Sequence, residues 1–539
     1  MPTYIHTAPY DAPVEDVWAW YDSKGAFRRI MPEWEGIRPV KAGALVDDAT
    51  TRFKITLGPL RPTWVARHYG VVSGEVFNDV MEKGPFGAWD HEHRFVSTGS
   101  NTSEIRDTIQ WKLPLHPLTF WTAPFTVKGR MNQMFAYRTL RVQEDLKRIA
   151  QYADQPKQRV LVSGSTGLIG MQLCAFLQAA GHEVVRLLRP SSVLPSDVAD
   201  EPTIVWNDQT GEVIEGSLEG FDTVIHLAGA GIGDKRWNAK RKALIESSRT
   251  LPTENLVRLF GTLEKPPKTF MSGSAVGYYG NRKDEQLTES SSPGEGFLAD
   301  LAQQWEAAAA PAQDLGIRTV WLRTGIVTTP MGGALKPMLL PTLMGAGGPL
   351  GGGRQYQSWI SLHDHIYATY HLMMNSSCEG PYNLTAPEPV TQRQYAKTLG
   401  KVLLRPWFAP APGFVLKIMF GELAQALILD GQRVLPQRLI ESGFAFQHER
   451  LESCLRQCLG TVSYTHLRAH ETPSVSVAAL LSVSSALTVG KWSRASPRKT
   501  TSARRPPMHR DGQADYQKHP YGVMVVSTEF LLAQTLPKA

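Results

Sequence analysis

The chain has 539 residues, with 57 Lys plus Arg against 50 Asp plus Glu and a formal charge of +7. A composition of 42% hydrophobic and 20% charged residues excludes a disordered or fibrous chain, and four cysteines exclude a disulfide scaffold. Ten Lys/Arg against four acids lie in residues 461–539, so residues 1–460 carry only +1, and the pI near 9.1 argues for no nucleic acid or anionic membrane as partner.

At about 150 residues per domain the length suggests three or so units. The opening MPTYIHTAPYDAPVED lacks the basic and apolar regions of a signal peptide. The nearest approach to an apolar span, Val475–Val489, is short and serine-rich, so a soluble, cytoplasmic chain is expected.

Residues 1–152 read as one unit. Apolar residues at helical spacing predict a helix over Val14–Phe27, and strand patterns cover Thr63–Val72 and Thr102–Trp111. Met131–Tyr152 closes the unit with an amphipathic helix carrying Phe135, Val142, Leu146 and Ile149. A strand-rich middle with a long terminal helix predicts an α+β unit, a curved antiparallel sheet wrapped on that helix. Alternation puts Trp89, His91, His93 and Phe95 on one strand face. With no third ligand in that segment, the two histidines are read as sheet-face packing rather than a metal site.

The segments APVEDVWAWYDSKGAFRRIMP and KGPFGAWDHEHRF resemble the START/polyketide-cyclase-like helix-grip superfamily. That resemblance implies an apolar ligand held between sheet and helix.

After the polar linker Ala153–Gln158 the pattern changes. Arg159–Val162 reads as a buried strand, followed by a glycine-rich turn, a helix over Leu168–Ala180 and a second strand at Glu183–Leu188. Further strand runs at Thr223–Leu227, Lys268–Ser272 and Arg318–Leu322 predict an α/β, Rossmann-type doubly wound parallel sheet over residues 159–386.

The turn is Gly164-Ser165-Thr166-Gly167-Leu168-Ile169-Gly170. Gly164 permits the tight turn, Gly167 lets the backbone approach a pyrophosphate, and Gly170 allows close packing. The helix start then offers free N–H groups and a positive dipole end to phosphate. A dinucleotide site of this kind places an acid near the end of the second strand to hold ribose hydroxyls, whereas this strand ends in Arg189. A guanidinium there favours the 2′-phosphate of NADP over NAD. Arg186 and Arg189 as solvated strand-end residues is the bland alternative.

GSTGLIG together with His226-Leu227-Ala228-Gly229, VWNDQTGEV, KALIESSRT, SGSAVGYYG, GFLADLAQQWEAAA, GGRQYQSWISLHD and GPYNLTAP resembles the extended short-chain dehydrogenase/reductase superfamily. More narrowly, these motifs resemble its atypical epimerase branch, known in bacteria as nucleoside-diphosphate-sugar epimerases. The resemblance implies that Leu227, Ala228 and Gly229 join Gly164–Gly170 around the cofactor. It extends to a small helical domain at 387–460.

In typical members a Tyr-x-x-x-Lys pair does acid/base work while a serine orients the substrate oxygen. Ser274 matches the serine, but alignment on Glu306 leaves Leu298 and Ala302 at the Tyr and Lys positions. Tyr278 is the candidate replacement phenol, with Tyr279 beside it and Lys242 or Arg236 as neighbouring cation. Tyr278 and Tyr279 as mere loop packing is the alternative. Arg354 is a candidate for an anionic substrate group, Asp364 a loop-fixing residue, Gly345–Gly353 a mobile loop over the site, and Trp206 and Trp237 core. Cys454 and Cys458, one helical turn apart, read as reduced thiols.

Residues 461–539 hold no sustained period and are expected to be disordered. Val462–Thr472 resembles a translated sequencing adaptor, which implies that the natural chain breaks near residue 461. The expected activity is NAD(P)-dependent oxidoreduction or epimerisation of a small carbonyl or alcohol substrate such as a nucleotide sugar. The competing reading is a catalytically silent NADP-binding regulator whose first domain senses an apolar ligand.

Overall fold

The computed structural model describes residues 1–56, 60–114 and 127–461. The expected disordered tail, the adaptor-like run and Val475–Val489 lie outside the described residues. Among the described residues, no helix is long and apolar enough to cross a membrane.

The N-terminal part is a seven-stranded, fully antiparallel sheet. Its strands are β1 (Thr3–Tyr10), β2 (Arg38–Lys41), β3 (Thr50–Lys54), β4 (Thr63–Val72), β5 (Val76–Lys83), β6 (Ala88–Gly99) and β7 (Thr102–Lys112). They lie in the order β1-β7-β6-β5-β4-β3-β2. Its inner face buries Trp64, Trp89, Ile109 and Trp111 against Met131 and Phe135 of the long helix Gly129–Ala150. Further along, Phe77, Phe95 and Ile105 meet Val142 and Leu146 of the same helix. This is the helix-grip arrangement, an antiparallel sheet packed on one long helix.

The expected single helix over Val14–Phe27 is two pieces, α1 (Val14–Asp22) and α2 (Ala26–Arg29). Ser23 turns extended and returns its hydroxyl to the Trp20 carbonyl at 2.7 Å. The break lets Gly25 press against the main chain of Ala175, where a Cβ would collide with the carbonyl.

The central sheet has eight strands. In spatial order they are β11 (Val213–Glu215), β10 (Thr203–Trp206), β9 (Glu183–Leu188), β8 (Arg159–Ser163), β12 (Thr223–His226), β13 (Thr269–Ala275), Arg318–Thr324 and Gly380–Leu384. All neighbours pair in parallel except β10 with β11. Leu173, Phe176 and Leu177 of helix Leu168–Ala179 cover one face with helix Leu362–Met374. Leu256, Val257 and Phe260 of helix Ala239–Phe260 cover the other. Strand order reverses between β8 and β12, which opens a crevice beyond their carboxyl ends.

A helical part follows. Thr391 caps helix Gln392–Leu403 with a reciprocal Gln394 bond, and Tyr395, Leu399 and Val402 pack on Leu451, Cys454 and Leu455 of Leu451–Cys458. All four cysteines are buried and free. Trp206 and Trp237 are core, as expected.

Candidate nucleotide and catalytic site

The glycine turn sits at the crevice. Gly164 adopts φ +68°, and a Cβ there would fall 2.7 Å from the Leu227 carbonyl carbon and 2.8 Å from the Ala228 nitrogen. The loop after β8 and the loop after β12 therefore touch main chain to main chain, bringing Gly164–Gly170 beside Leu227–Gly229. A Cβ on Gly170 would collide with the Gly164 carbonyl oxygen, so its close packing is against the turn itself. Gly167 is the extended N-cap of helix Leu168–Ala179, leaving the Leu168, Ile169 and Gly170 amides without helical acceptors. Thr166 is exposed, and Ser165 is buried with its hydroxyl unpartnered. Ser163 Oγ and His226 Nδ1, 2.6 Å apart, tie the ends of β8 and β12 together. Burial pulls the His226 pKa down to about 4, keeping the ring neutral.

Behind this crevice lies Arg249, which the sequence reading passed over inside KALIESSRT. It donates to the Ala230 and Ile245 carbonyls at 2.9 Å, and its side chain fills the space where Gly229 would carry a Cβ. Burial, with Arg241 nearby, lowers its pKa to about 10. No carboxylate pairs with it among the described residues, so its charge faces the loop that abuts the glycine turn.

The two strand-end arginines differ. Arg186 is buried, paired with Glu201 at 2.6 Å and donating to the Ser165 carbonyl at 2.7 Å. It braces the turn, and the solvated-residue reading fails for it. Arg189 is 58% exposed at its side chain, with only a loose 3.9 Å contact to Asp208, so it is available to a ligand.

Ser274, Tyr278 and Tyr279 converge on a group that spacing could not reveal. Ser274 donates to Glu306 Oε1 at 2.6 Å, and Glu306 holds Arg323 through two 2.8 Å bonds. Arg323 donates to the Tyr279 hydroxyl at 2.9 Å, which itself donates to Asn383 at 2.7 Å. The same guanidinium lies 3.6 Å from the centre of the Tyr278 ring. Burial pushes the Tyr279 phenol up to about 12, so Tyr279 is a structural hydrogen-bonding group. Tyr278 is half-buried, and its hydroxyl makes no hydrogen bond among the described residues.

The cation beside the tyrosines is thus Arg323. Lys242 is occupied by Glu422 at 2.7 Å, and Arg236 donates to the Ile418 carbonyl. Leu298 lies against Gly277, and Ala302 is buried, so the usual Tyr and Lys positions carry apolar packing. Asp364 is fully buried, accepting from Ser361 Oγ and the Gln447 and His448 amides at 2.7–3.0 Å, which pins the segment before helix Leu451–Cys458 to the start of helix Leu362–Met374. Arg354 is exposed. In the glycine-rich stretch 345–353, the Gly347 and Pro349 carbonyls accept from the Ala409 and Ala411 amides and Gly351 donates back to the Ala411 carbonyl, which corrects the expectation of a mobile loop.

Comparison with known proteins agrees with this layout. The family model described as "NAD dependent epimerase/dehydratase family" matches residues 160–384, and a domain of unknown function, DUF1731, matches 411–458. An epimerase family protein of Mycobacterium bovis is 39% identical over 296 residues, covering 55% of this chain and 96% of its own. The Bacillus subtilis epimerase family protein YfhF is 37% identical over 301 residues, covering 56% and 97%. The crystal structure of a nucleoside-diphosphate sugar epimerase from Corynebacterium glutamicum superposes with TM-score 0.69 at 31% identity, covering 89% of this chain and 96% of that one. Coverage that large takes in the N-terminal sheet as well. The human epimerase family protein SDR39U1 (isoform 2), solved with NADPH, gives TM-score 0.51 at 31% identity, covering 56% of this chain and all of that one. On sequence and architecture together, the chain belongs to the epimerase family.

Proposed function

We propose that this chain binds NADP(H) in the crevice between Gly164–Gly170 and Leu227–Gly229 and acts as an oxidoreductase or epimerase on a small carbonyl or alcohol substrate, a nucleotide sugar being the class favoured by its relatives. The observation that carries the reading is the glycine turn at the strand-order reversal, where Gly164 and Gly170 leave no room for a Cβ and the helix amides face the crevice. Those residues fit a dinucleotide, and Arg189 at the end of β9 fits a 2′-phosphate. A bound nicotinamide would supply reversible hydride transfer. Within the protein, Tyr278 would hand a proton to or from the substrate oxygen, while Arg323 stacked on its ring holds the phenol in place. Glu306 keeps Arg323 in place and Ser274 oriented.

The working division is a START/polyketide-cyclase-like domain at 1–152 that takes an apolar ligand, an NADP-binding domain at 159–386 and a small domain at 387–460, in a cytoplasmic chain. Leu298 and Ala302 at the usual catalytic positions favour a second reading, an NADP-binding regulator without turnover. Purified protein assayed for NADPH oxidation against carbonyl and nucleotide-sugar panels separates the two. Turnover supports the enzyme; tight NADPH binding with no turnover supports the regulator; no binding of either nucleotide refutes both.

A further inference from the structure

The N-terminal sheet carries a cluster that the nucleotide site does not use. Register places Asp79 of β5 opposite His91 of β6, and Asp107 of β7 opposite His93. Both carboxylates come from neighbouring strands, so spacing along β6 alone does not reveal them. Asp79 Oδ2 lies 3.5 Å from His91 Nδ1 and 3.2 Å from His93 Nε2. Asp107 Oδ1 lies 3.1 Å from His91 Nε2 and 2.7 Å from His93 Nδ1.

Both histidines are buried, at 3% and 7% exposure, among Phe77, Trp89 and Phe135. Neither carboxylate has an Arg or Lys in ion-pair contact among the described residues, so the buried Asp107 and the partly exposed Asp79 face the imidazoles. Neutral imidazoles carry one N–H each. With these on His91 Nε2 and His93 Nδ1, both rings donate to Asp107, 3.1 and 2.7 Å away. His91 Nδ1 and His93 Nε2 then turn their lone pairs toward Asp79 Oδ2, 3.5 and 3.2 Å away. A ring lone pair aimed at a carboxylate is repulsive unless a cation lies nearby.

We propose that Asp79, His91 and His93 bind a divalent transition metal, with zinc the best match to an N₂O donor set. One ligand atom from each lies within 4.8 Å of the others. Ligands about 2.1 Å from a tetrahedral ion stand roughly 3.4 Å apart, close to the observed spacings. Asp107, against the opposite ring nitrogens, serves as the outer carboxylate that orients the rings. Asp79 retains 17% side-chain exposure and gives the ion its way in. Three protein ligands leave a coordination position for a small oxygen donor.

The test uses the full chain, stripped with chelator and titrated with Co²⁺. One equivalent should bind with the visible absorption of a low-symmetry Co²⁺ site, and Zn²⁺ should displace it. Asp79→Asn should weaken binding at least tenfold, and Asp107→Asn 10- to 100-fold. His93→Gln should abolish the absorption band, while His6→Gln, outside the ligand set, should leave it intact. If His93→Gln fails to fold, as judged by circular dichroism, Asp79→Asn carries the test. No saturable Co²⁺ band in the unmutated chain, or unchanged affinity in Asp79→Asn, overturns the proposal.

Discussion

Arg29 of the N-terminal helix pair and Asp145 of helix Gly129–Ala150 form a two-pronged ion pair, at 2.9 and 2.5 Å, in which neither side chain is exposed. Asp145 also accepts from the Tyr367 hydroxyl at 2.7 Å, and Arg29 reaches His363 at 3.1 Å. Tyr367 and His363 belong to the helix Leu362–Met374 that covers the central sheet. A second link runs from Glu33 to Thr329 at 2.5 Å and to His363 at 3.1 Å. The helix grip is thus locked to the nucleotide-binding sheet through a buried polar seam.

That seam is expensive to break on one side only. Asp145→Ala leaves Arg29 and Tyr367 buried without their acceptor, so unfolding free energy by denaturant titration should fall by roughly 3–5 kcal/mol. Tyr367→Phe removes a hydroxyl whose loss should cost on the order of 1 kcal/mol. Equal costs for the two variants would contradict this picture.

Glu33 makes the seam sensitive to pH. Burial raises its pKa from 4.5 to about 7, against the opposing pull of Thr329, Arg141 and Arg29. As pH rises from about 4.5 to 7, the unfolded state releases the Glu33 proton while the folded state keeps it. Its contribution therefore lowers stability across that window and levels off above it. Glu33→Gln removes this effect, so the variant should gain on the unmutated protein by up to roughly 3 kcal/mol between pH 4.5 and 7. Buried neutral His226, His365 and His448, each lowered to about 4, act in the opposite sense. The unfolded state protonates them first, so they destabilise as pH falls from 6.5 toward 4.

At the glycine turn, Gly170→Ala forces a Cβ onto the Gly164 carbonyl. NADPH affinity should drop at least tenfold, with the melting temperature falling only a few degrees. The check is a binding titration run beside a thermal melt.

Tyr278→Phe should retain NADPH binding and lose turnover, with kcat reduced 10²-fold or more. Unchanged turnover would remove Tyr278 from proton transfer. Glu306→Gln, which frees Arg323 and Ser274, should lower kcat more than it raises KM.

Local pattern was enough for much of the fold. Strands Thr63–Val72 and Glu183–Leu188 are legible because alternation, or an unbroken apolar run, spans each of them. The glycine turn is legible because a strand, three glycines and a helix are contiguous. What escaped is what tertiary structure assembles. Ser274 lies 32 residues before Glu306 and Glu306 17 before Arg323, and the three meet only because β13 pairs with Arg318–Thr324 under helix Phe297–Ala309. Asp79 and Asp107 join His91 and His93 through strand register. Arg186 and Arg189 look equivalent in sequence, yet Arg186 lies inside the buried β9 and reaches Glu201, whereas Arg189 follows the strand's last residue and stands in solvent. The break after Asp22 lets Gly25 meet the main chain of Ala175, a partner 150 residues away that local pattern does not name.

The most direct measurement is titration of NADPH and NADH into the full-length chain, followed by nicotinamide fluorescence, in parallel with Arg189→Ala. Saturable NADPH binding, at least tenfold tighter than NADH and with that preference collapsing in Arg189→Ala, is the expected result. Absence of binding by both nucleotides, or equal affinities unaffected by Arg189→Ala, would contradict the assignment of this crevice to NADP.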